Sequence, residues 1–437
     1  MDRLTRRIFL KNTGIAMFGL TALPTFLRSA VAATTGAGKR ILVVLFQRGA
    51  VDGLNVVVPH GEPNYFQMRP TIAIPQPGRG GSDGAQGAAI DLDGFFGLHP
   101  ALAPLEPLYR QGILAVVHAA GSPDPSRSHF DAQDYMESGT PGVKTTVDGW
   151  LNRALAVRQT ARGEGSFGQG SPVAAKPSTD VLRAVAVSPN LPLTLQGRAP
   201  AVAIPDLRQF KFFGPPRLVE SNFEALYDGA SDRLLRGAGR ETFQAVNTLE
   251  RLDPGTYQPD GGADYPKSRF GQGLREIAQL IKADVGLEVA FLDSGGWDNH
   301  VNEGGAQGQL AGLLRDLGQG LAAFAADMGS RLGDVVFVSM SEFGRTAREN
   351  GNRGTDHGHG NYMFVLGGPV KGGKVYSRWP GLGPDQLNQD RDLKVTTDYR
   401  SVLAEILARH LGIRNFTNVF PAFEGDQPGE YLNLIRG

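Results

Sequence analysis

Seven short apolar runs, each bordered by a polar, glycine-rich loop, set the fold of this chain. Ile41–Phe46 leads into Arg48-Gly-Ala-Val-Asp52-Gly53, and Ile113–His118 into Gly121–His129. Leu287–Leu292 leads into Asp293-Ser-Gly-Gly-Trp-Asp298-Asn-His300, and Val335–Ser339 into Ser341-Glu342-Phe-Gly-Arg345. Tyr362–Leu366 instead follows its cluster, Gly354-Thr-Asp356-His357-Gly-His359. Ala184–Val187 and Ala201–Ile204 are weaker members. Continuous β-branched runs read as strands buried on both faces. Helical stripes lie between them, with apolar residues three and four apart. Examples are Leu310, Leu314, Leu317, Leu321 and Phe324; Phe270, Leu274, Ile277 and Ile281; and Tyr399, Val402, Leu403 and Ile406. The last stripe opens at Thr396-Thr397-Asp398 as a cap and closes at Gly412. Strands alternating with helices predict a mainly parallel sheet covered on both faces, a three-layer α/β/α sandwich.

Composition narrows the chemistry. Cysteine is absent from the 437 residues, which excludes disulfides, thiolate metal sites and cysteine nucleophiles. Any metal must be held by His, Asp, Glu or Asn. Glycine, at 59 residues, is about twice its usual share and marks a loop-rich chain. Three stretches rich in Gly, Pro and Ser read as insertions, at 76–87, 159–179 and 253–266, and 145–265 could form a peripheral lobe.

The N-terminus reads as an address. Arg6-Arg7 with Phe9-Leu10 and Lys11 form a twin-arginine export signal. An apolar run from Gly14 to Leu27 follows, shorter than a membrane span of about 20 residues. Small residues then suit signal peptidase near 32–33. The expected partners are therefore the twin-arginine machinery and signal peptidase, with no stable membrane span. The expected destination is the periplasm or beyond, reached by a domain covering 34–437. The full chain has 44 basic and 44 acidic residues. Five of the basic residues fall in the leader, so no basic surplus remains for nucleic acid.

In open parallel sheets ligands sit beyond the carboxyl ends of the strands. Four predicted strand ends carry acids or histidines, and a fifth cluster precedes a strand. Asp52, Asp298, His300, Glu342, Asp356, His357 and His359 are candidate metal ligands, being oxygen and imidazole donors on glycine-flanked loops. Asp52 also fits a plain Asp-Gly turn. Ser128 reads as the cap of a helix running through Glu137, and a hydroxyl there is placed to attack an anionic centre. Ser128 and His129 are the candidate catalytic residues. Arg48, Arg127 and Arg345 are candidate grips for an anionic substrate. His60, His99 and His410 read as structural, while His118 reads equally as a supporting residue.

Together these segments resemble the domain-of-unknown-function 1501 family of twin-arginine-exported bacterial proteins. The carrying motifs are Phe46–Asn55 (FQRGAVDGLN), Gly94–Pro100 (GFFGLHP), Ser126–Gly139 (SRSHFDAQDYMESG), Gly296–His300 (GWDNH), Ser341–Thr346 (SEFGRT) and Thr355–Asn361 (TDHGHGN). That family is similar to the alkaline phosphatase and sulfatase superfamily. The resemblance implies an α/β/α sandwich and one or two divalent metals, with zinc expected. It matches Asp52 to the superfamily's first ligand, Ser128 to its nucleophile, and Asp298 and His300 to its later Asp and His. The last part aligns two ways. Asp356-His357 can be the Asp-His pair with His359 final, or Glu342 can stand in the pair's place with His357 or His359 final. The implied activity is metal-dependent hydrolysis of a small phosphate or sulfate ester, or of a cell-surface substrate. A non-catalytic metal-containing accessory protein and a phosphoryl transferase using Ser128 as carrier are the alternatives.

Overall fold

The computed structural model describes residues 39–78, 87–161, 182–208, 255–423 and 431–436. The export signal lies outside the described residues, as do 79–86, 162–181 and 209–254, which hold the greater part of the first two expected insertions and much of the expected lobe; the third insertion is described from residue 255 on, as turns and loop.

Twelve strands are described: β1 (Ile41–Gln47), β2 (Val57–Val58), β3 (Ile90–Asp91), β4 (Gly97–Leu98), β5 (Leu114–Gly121), β6 (Ala184–Val187), β7 (Val202–Ala203), β8 (Val289–Ser294), β9 (Val335–Met340), β10 (Asn361–Leu366), β11 (Val375–Tyr376) and β12 (Thr397–Asp398). The main sheet has the order β11-β5-β10-β9-β1-β8-β6-β7, with β12 also on β5. A small antiparallel sheet, β2-β4-β3, sits apart. Every pairing in the main sheet is parallel except those of β10, which runs against both β5 and β9.

Both faces of the sheet are covered, and β1 shows how. All seven of its side chains are buried. Ile41, Val43 and Leu45 join a core with Phe270, Leu274 and Ile277 of helix Arg269–Lys282 and with Leu310, Leu314 and Leu321 of helix Gln309–Met328. Leu42, Val44 and Phe46 face the other way, onto Trp150, Leu151 and Leu155 of helix Trp150–Ala161 and Val402, Leu403 and Ile406 of helix Tyr399–Ile406. Side chains alternate across a strand, so a run that is apolar at every position must sit between two cores. The result is the three-layer α/β/α sandwich expected from the sequence.

The reversed strand resolves an oddity of the sequence. The other clusters follow their strands, whereas 354–359 precedes β10. Because β10 is antiparallel, Asn361 at its start pairs with Ala120 near the end of β5. The segment before β10 and the segments after β1, β5, β8 and β9 thus meet at one edge of the sheet. Among the described residues, no helix is long and apolar enough to cross a membrane.

Candidate metal centre

Helix His129–Ser138 brings the first imidazole. Ser128 holds the cap position but its hydroxyl makes no capping bond. His129 is the first helical residue, and Gln133 and Glu137 follow on the same face at four-residue steps. His129 Nδ1 lies 2.8 Å from Glu342 Oε1, and Gln133 Nε2 donates to that same oxygen at 2.8 Å. The Gly49 amide donates to it too, at 2.8 Å, while the other oxygen lies 3.1 Å from Ser341 Oγ, whose proton goes to the nearer Gln47 carbonyl at 2.7 Å. Burial alone would push the Glu342 carboxyl up, but these donors, His129 foremost, hold it below the usual range. An ionised carboxylate only accepts, so His129 Nδ1 carries the proton and Nε2 presents a lone pair. The same contact raises the His129 pKa above its ordinary value.

The other two imidazoles are fixed in the same way. His300 Nδ1 lies 3.0 Å from Asp356 Oδ1, whose pKa is lowered against the cost of its burial by Asn350 and His300. His357 Nδ1 donates to the Arg127 carbonyl at 2.8 Å. Burial depresses the His357 pKa, which favours the neutral ring. All three Nδ1–H groups are therefore spent on oxygen acceptors, and the Nε2 atoms of His129 and His300 both approach that of His357. His357 Nε2 is 3.0 Å from both His129 Nε2 and His300 Nε2. Asp298 supplies the anion: its carboxylate is 3.0 Å from His300 Nε2, 3.3 Å from His357 Nε2 and 3.4 Å from His129 Nε2.

Three lone pairs at this distance repel unless a proton or a cation sits among them. His129, Asp298 and His357 alone form a group able to hold a metal ion, and His300 extends it to three imidazoles and one carboxylate. Ligand atoms about 2.0–2.1 Å from a tetrahedral zinc lie about 3.3–3.4 Å apart. His357 Nε2 and the Asp298 carboxylate lie 3.0–3.4 Å from each other and from the Nε2 atoms of His129 and His300. Imidazoles whose second nitrogen donates to a carboxylate or carbonyl are typical metal ligands. The residues fit a divalent cation.

Arg345 ties the loops together. Its guanidinium is fully buried. It donates to the carbonyls of Ala50 at 2.5 Å, Gly49 at 2.6 Å, Thr355 at 3.1 Å and Trp297 at 3.2 Å, and to Asp298 Oδ1 at 2.5 Å. With His300 and His129, it lowers the Asp298 pKa against desolvation. Two glycines allow the backbones to approach. A Cβ on Gly354 would lie 2.4 Å from the carbonyl carbon and oxygen of His300. One on Gly358 would lie 2.3 Å from those of Arg345.

The remaining candidates lie apart from the imidazoles. Asp52 is buried and both its oxygens face Arg69, one of them at 2.8 Å. Arg69 also donates to the carbonyls of Thr346 and Ala347. His359 contributes its carbonyl to the Gly344 amide, and its ring is not among the converging nitrogens. Arg48 donates to Asp293, Gln133 and Glu137, and Arg127 to Asp392 and Gln389. His60 pairs with Asp91, while His99, His118 and His410 bond backbone carbonyls. Gln133 and Asn350 are supporting residues that sequence reading missed. Gln133 lies four residues after His129, a spacing that could have revealed it. Asn350 donates to both Asp356 Oδ1 and the His300 carbonyl, a contact with no sequence signal.

Comparison with known proteins adds a family match, described as a protein of unknown function (DUF1501), over residues 114–421. No curated protein matches in sequence. Among solved structures, the PsFucS1 sulfatase from Pseudoalteromonas sp. aligns over 81% of this chain and 68% of its own, with a TM-score of 0.33 and 14% identity. At that level the likeness carries no argument about the site.

Proposed function

This chain belongs to the DUF1501 family, and from the centre it carries we propose that it is an exported metal-dependent hydrolase of phosphate or sulfate esters. One observation supports the reading above the others. Three imidazole Nε2 atoms lie within 3.4 Å of one carboxylate, with every Nδ1–H already anchored. His129, Asp298, His300 and His357 would hold the cation, and a donor set of three imidazoles and a carboxylate suits zinc. A cation bound there would supply Lewis acidity toward an ester oxygen and increase the acidity of a coordinated water.

The chain's own residues have distinct tasks in this reading. Glu342, Asp356 and the Arg127 carbonyl orient the imidazoles. Arg345 holds Asp298 in its ionised form. The Ser128 hydroxyl, half-buried at the start of a helix and without a capping bond, is placed to hydrogen-bond an anionic group or to serve as nucleophile. The twin-arginine signal would deliver the protein already folded around its cation.

The decisive experiment is elemental analysis of the exported, tag-free protein beside a His357→Ala/Asp298→Ala double variant, followed by a screen of phosphate and sulfate esters. The expected result is about one equivalent of divalent metal in the wild type, absent from the variant, with ester turnover that follows the metal. A protein that stays metal-free after incubation with zinc, manganese and calcium would refute the reading. A second reading, a non-catalytic metal-containing accessory protein, is favoured by the internal commitments of Arg48, Arg127 and Arg345. It predicts metal without turnover.

A further inference from the structure

We infer that the cavity beside the centre is a subsite for an oxyanion carried on a polyol, gripped by Arg348 and Arg391. The inference rests on the proposed hydrolytic reading in one respect, in taking this ligand to be part of the same substrate.

The cavity has a volume of about 250 Å³ and shares a wall with the centre. That wall is Asp356, whose Oδ1 holds His300 Nδ1. The cavity therefore lies one imidazole ring away from the converging Nε2 atoms. Arg391 connects the two from another side, since its Nη2 donates to the His357 carbonyl at 3.0 Å.

The commitments of the lining residues identify the ligand. Glu349 is spent: it accepts from the Thr71 amide at 2.9 Å, the Ile72 amide at 3.1 Å and the Thr71 hydroxyl at 3.0 Å. Asp356 is spent on His300 and Asn350. Arg348 makes no side-chain hydrogen bond or ion pair among the described residues. Arg391 uses one nitrogen on His357 and has a loose 3.5 Å ion pair with Asp392. The uncommitted groups are thus mainly guanidinium donors, which match the forked oxygens of sulfate, phosphate or carboxylate. Asp390 remains open to accept from a hydroxyl, and Met68 and Leu387 give an apolar floor. This combination fits an anionic, hydroxyl-bearing ring better than a bare anion.

The backbone that presents Asp390 and Arg391 is held in an unfavourable shape. Gln389 and Asp390 both adopt left-handed conformations, with φ of 53° and 54°, inside a turn closed by Asn388 and Asp392. Non-glycine residues hold such angles only when their surroundings impose them. Arg127 braces this turn through its side chains, donating to Gln389 Oε1 at 3.0 Å and Asp392 Oδ2 at 2.5 Å. The Arg127 carbonyl also receives His357 Nδ1, so one residue fixes both the cavity loop and a metal-facing imidazole.

The test is calorimetric titration of the full mature protein with glucose 6-sulfate, inorganic sulfate and inorganic phosphate, with glucose as the uncharged control. Metal content is measured on the same samples. Glucose 6-sulfate should bind the wild type equally before and after chelator treatment that strips its metal. Binding should weaken about tenfold or more in Arg348→Gln/Arg391→Gln, whose metal content stays at the wild-type level. Arg348→Lys/Arg391→Lys, which keeps the charge but loses the fork, should fall between. Inorganic sulfate and phosphate should bind more weakly than the sugar sulfate, and glucose more weakly still. Equal binding by the Gln pair, or no binding by the wild type, overturns the inference. So does binding lost on chelator treatment but kept in the Gln pair, which would place the anion on the centre. Arginine-dependent binding by a wild type that carries no metal would sink the hydrolase reading and leave the anion site standing.

Discussion

Glu342→Gln tests the centre without disturbing the fold around it. The carboxylate is buried, with three donors on Oε1 and the Ser341 hydroxyl oxygen beside Oε2. Glutamine has the same shape. Its amide oxygen can take the place of Oε1, keeping the Gly49 amide, Gln133 and His129 satisfied. Its amide nitrogen then faces Ser341 Oγ, which donates to the Gln47 carbonyl at 2.7 Å, accepts from the Val51 amide at 3.4 Å and has a second lone pair for this donor. What disappears is the charge behind His129 Nδ1. A hydrogen bond to an ionised partner contributes about 1.5–3 kcal/mol and a neutral one about 1 kcal/mol. The difference, about 0.5–2 kcal/mol, corresponds to a loss of about 2–30-fold in metal affinity at about 1.4 kcal/mol per decade. That overlaps the 10–100-fold effect usual for partners of metal-bound histidines, about 1.4–2.8 kcal/mol.

Chelator competition measures the dissociation constant, and denaturant unfolding of the metal-free protein measures the fold. Affinity should drop while metal-free stability stays within about 1 kcal/mol of wild type. Glu342→Ala is the contrast, because it strands the Gly49 and Gln133 donors at about 1–3 kcal/mol each and should damage both readouts. Unchanged affinity in Glu342→Gln would refute the argument that this carboxylate tunes His129.

Three further expectations follow. Gly354→Ala should lower metal content while the rest of the sandwich keeps its circular dichroism, because its Cβ would drive the His300 backbone away from 2.4 Å; full metal occupancy would contradict that packing. Metal affinity should decline with falling pH already above the ordinary imidazole value of about 6.5, because Glu342 raises the His129 pKa and a proton there competes with the metal; the midpoint should move down in Glu342→Gln, and an unmoved midpoint would assign the titration elsewhere. Acid should destabilise the metal-free protein through His99, His118 and His410, each pushed by burial down to about 4. Their unfolded forms bind a proton first, so stability is full above about 6.5 and is lost as pH falls towards 4, about 2 kcal/mol per histidine by pH 5. Urea midpoints at pH 7 and pH 5 would show it, and equal midpoints would contradict the burial.

Much of this was legible in the sequence because strand burial and strand ends leave local signatures. The run Ile41–Gln47 has no polar residue before its last position, which forces two covered faces. The donor clusters beside five such runs mark the loops that build the centre. Direction is different. A short apolar run such as Tyr362–Leu366 reads the same whichever way it lies, so only the structure explains why its cluster comes before it. Partner choice is also non-local. Nothing near Asp52 announces that Arg69, 17 residues on, will take both its oxygens. Equally, the Ser-Glu-Phe-Gly-Arg motif does not announce that Arg345 will turn inward to backbone carbonyls.

That inward turn bears on how the centre can exist at all. Its ligands come from three separate connections, after β5, after β8 and before β10, and its supports from those after β1 and β9. Loops of this kind, rich in glycine, lose much conformational freedom when they are fixed. One buried guanidinium opposes that loss at several points, because Arg345 bonds the segments after β1, after β8 and before β10 while being anchored after β9 itself. A buried charge is tolerated when every donor is met and an anion lies close, and Asp298 is that anion. The same carboxylate that faces the imidazoles therefore also neutralises the staple that holds their loops. Removing charge from Asp298 would loosen the scaffold as well as the ligand set. The chain thus couples assembly of its loops to the one acidic side chain that any cation in the centre would share.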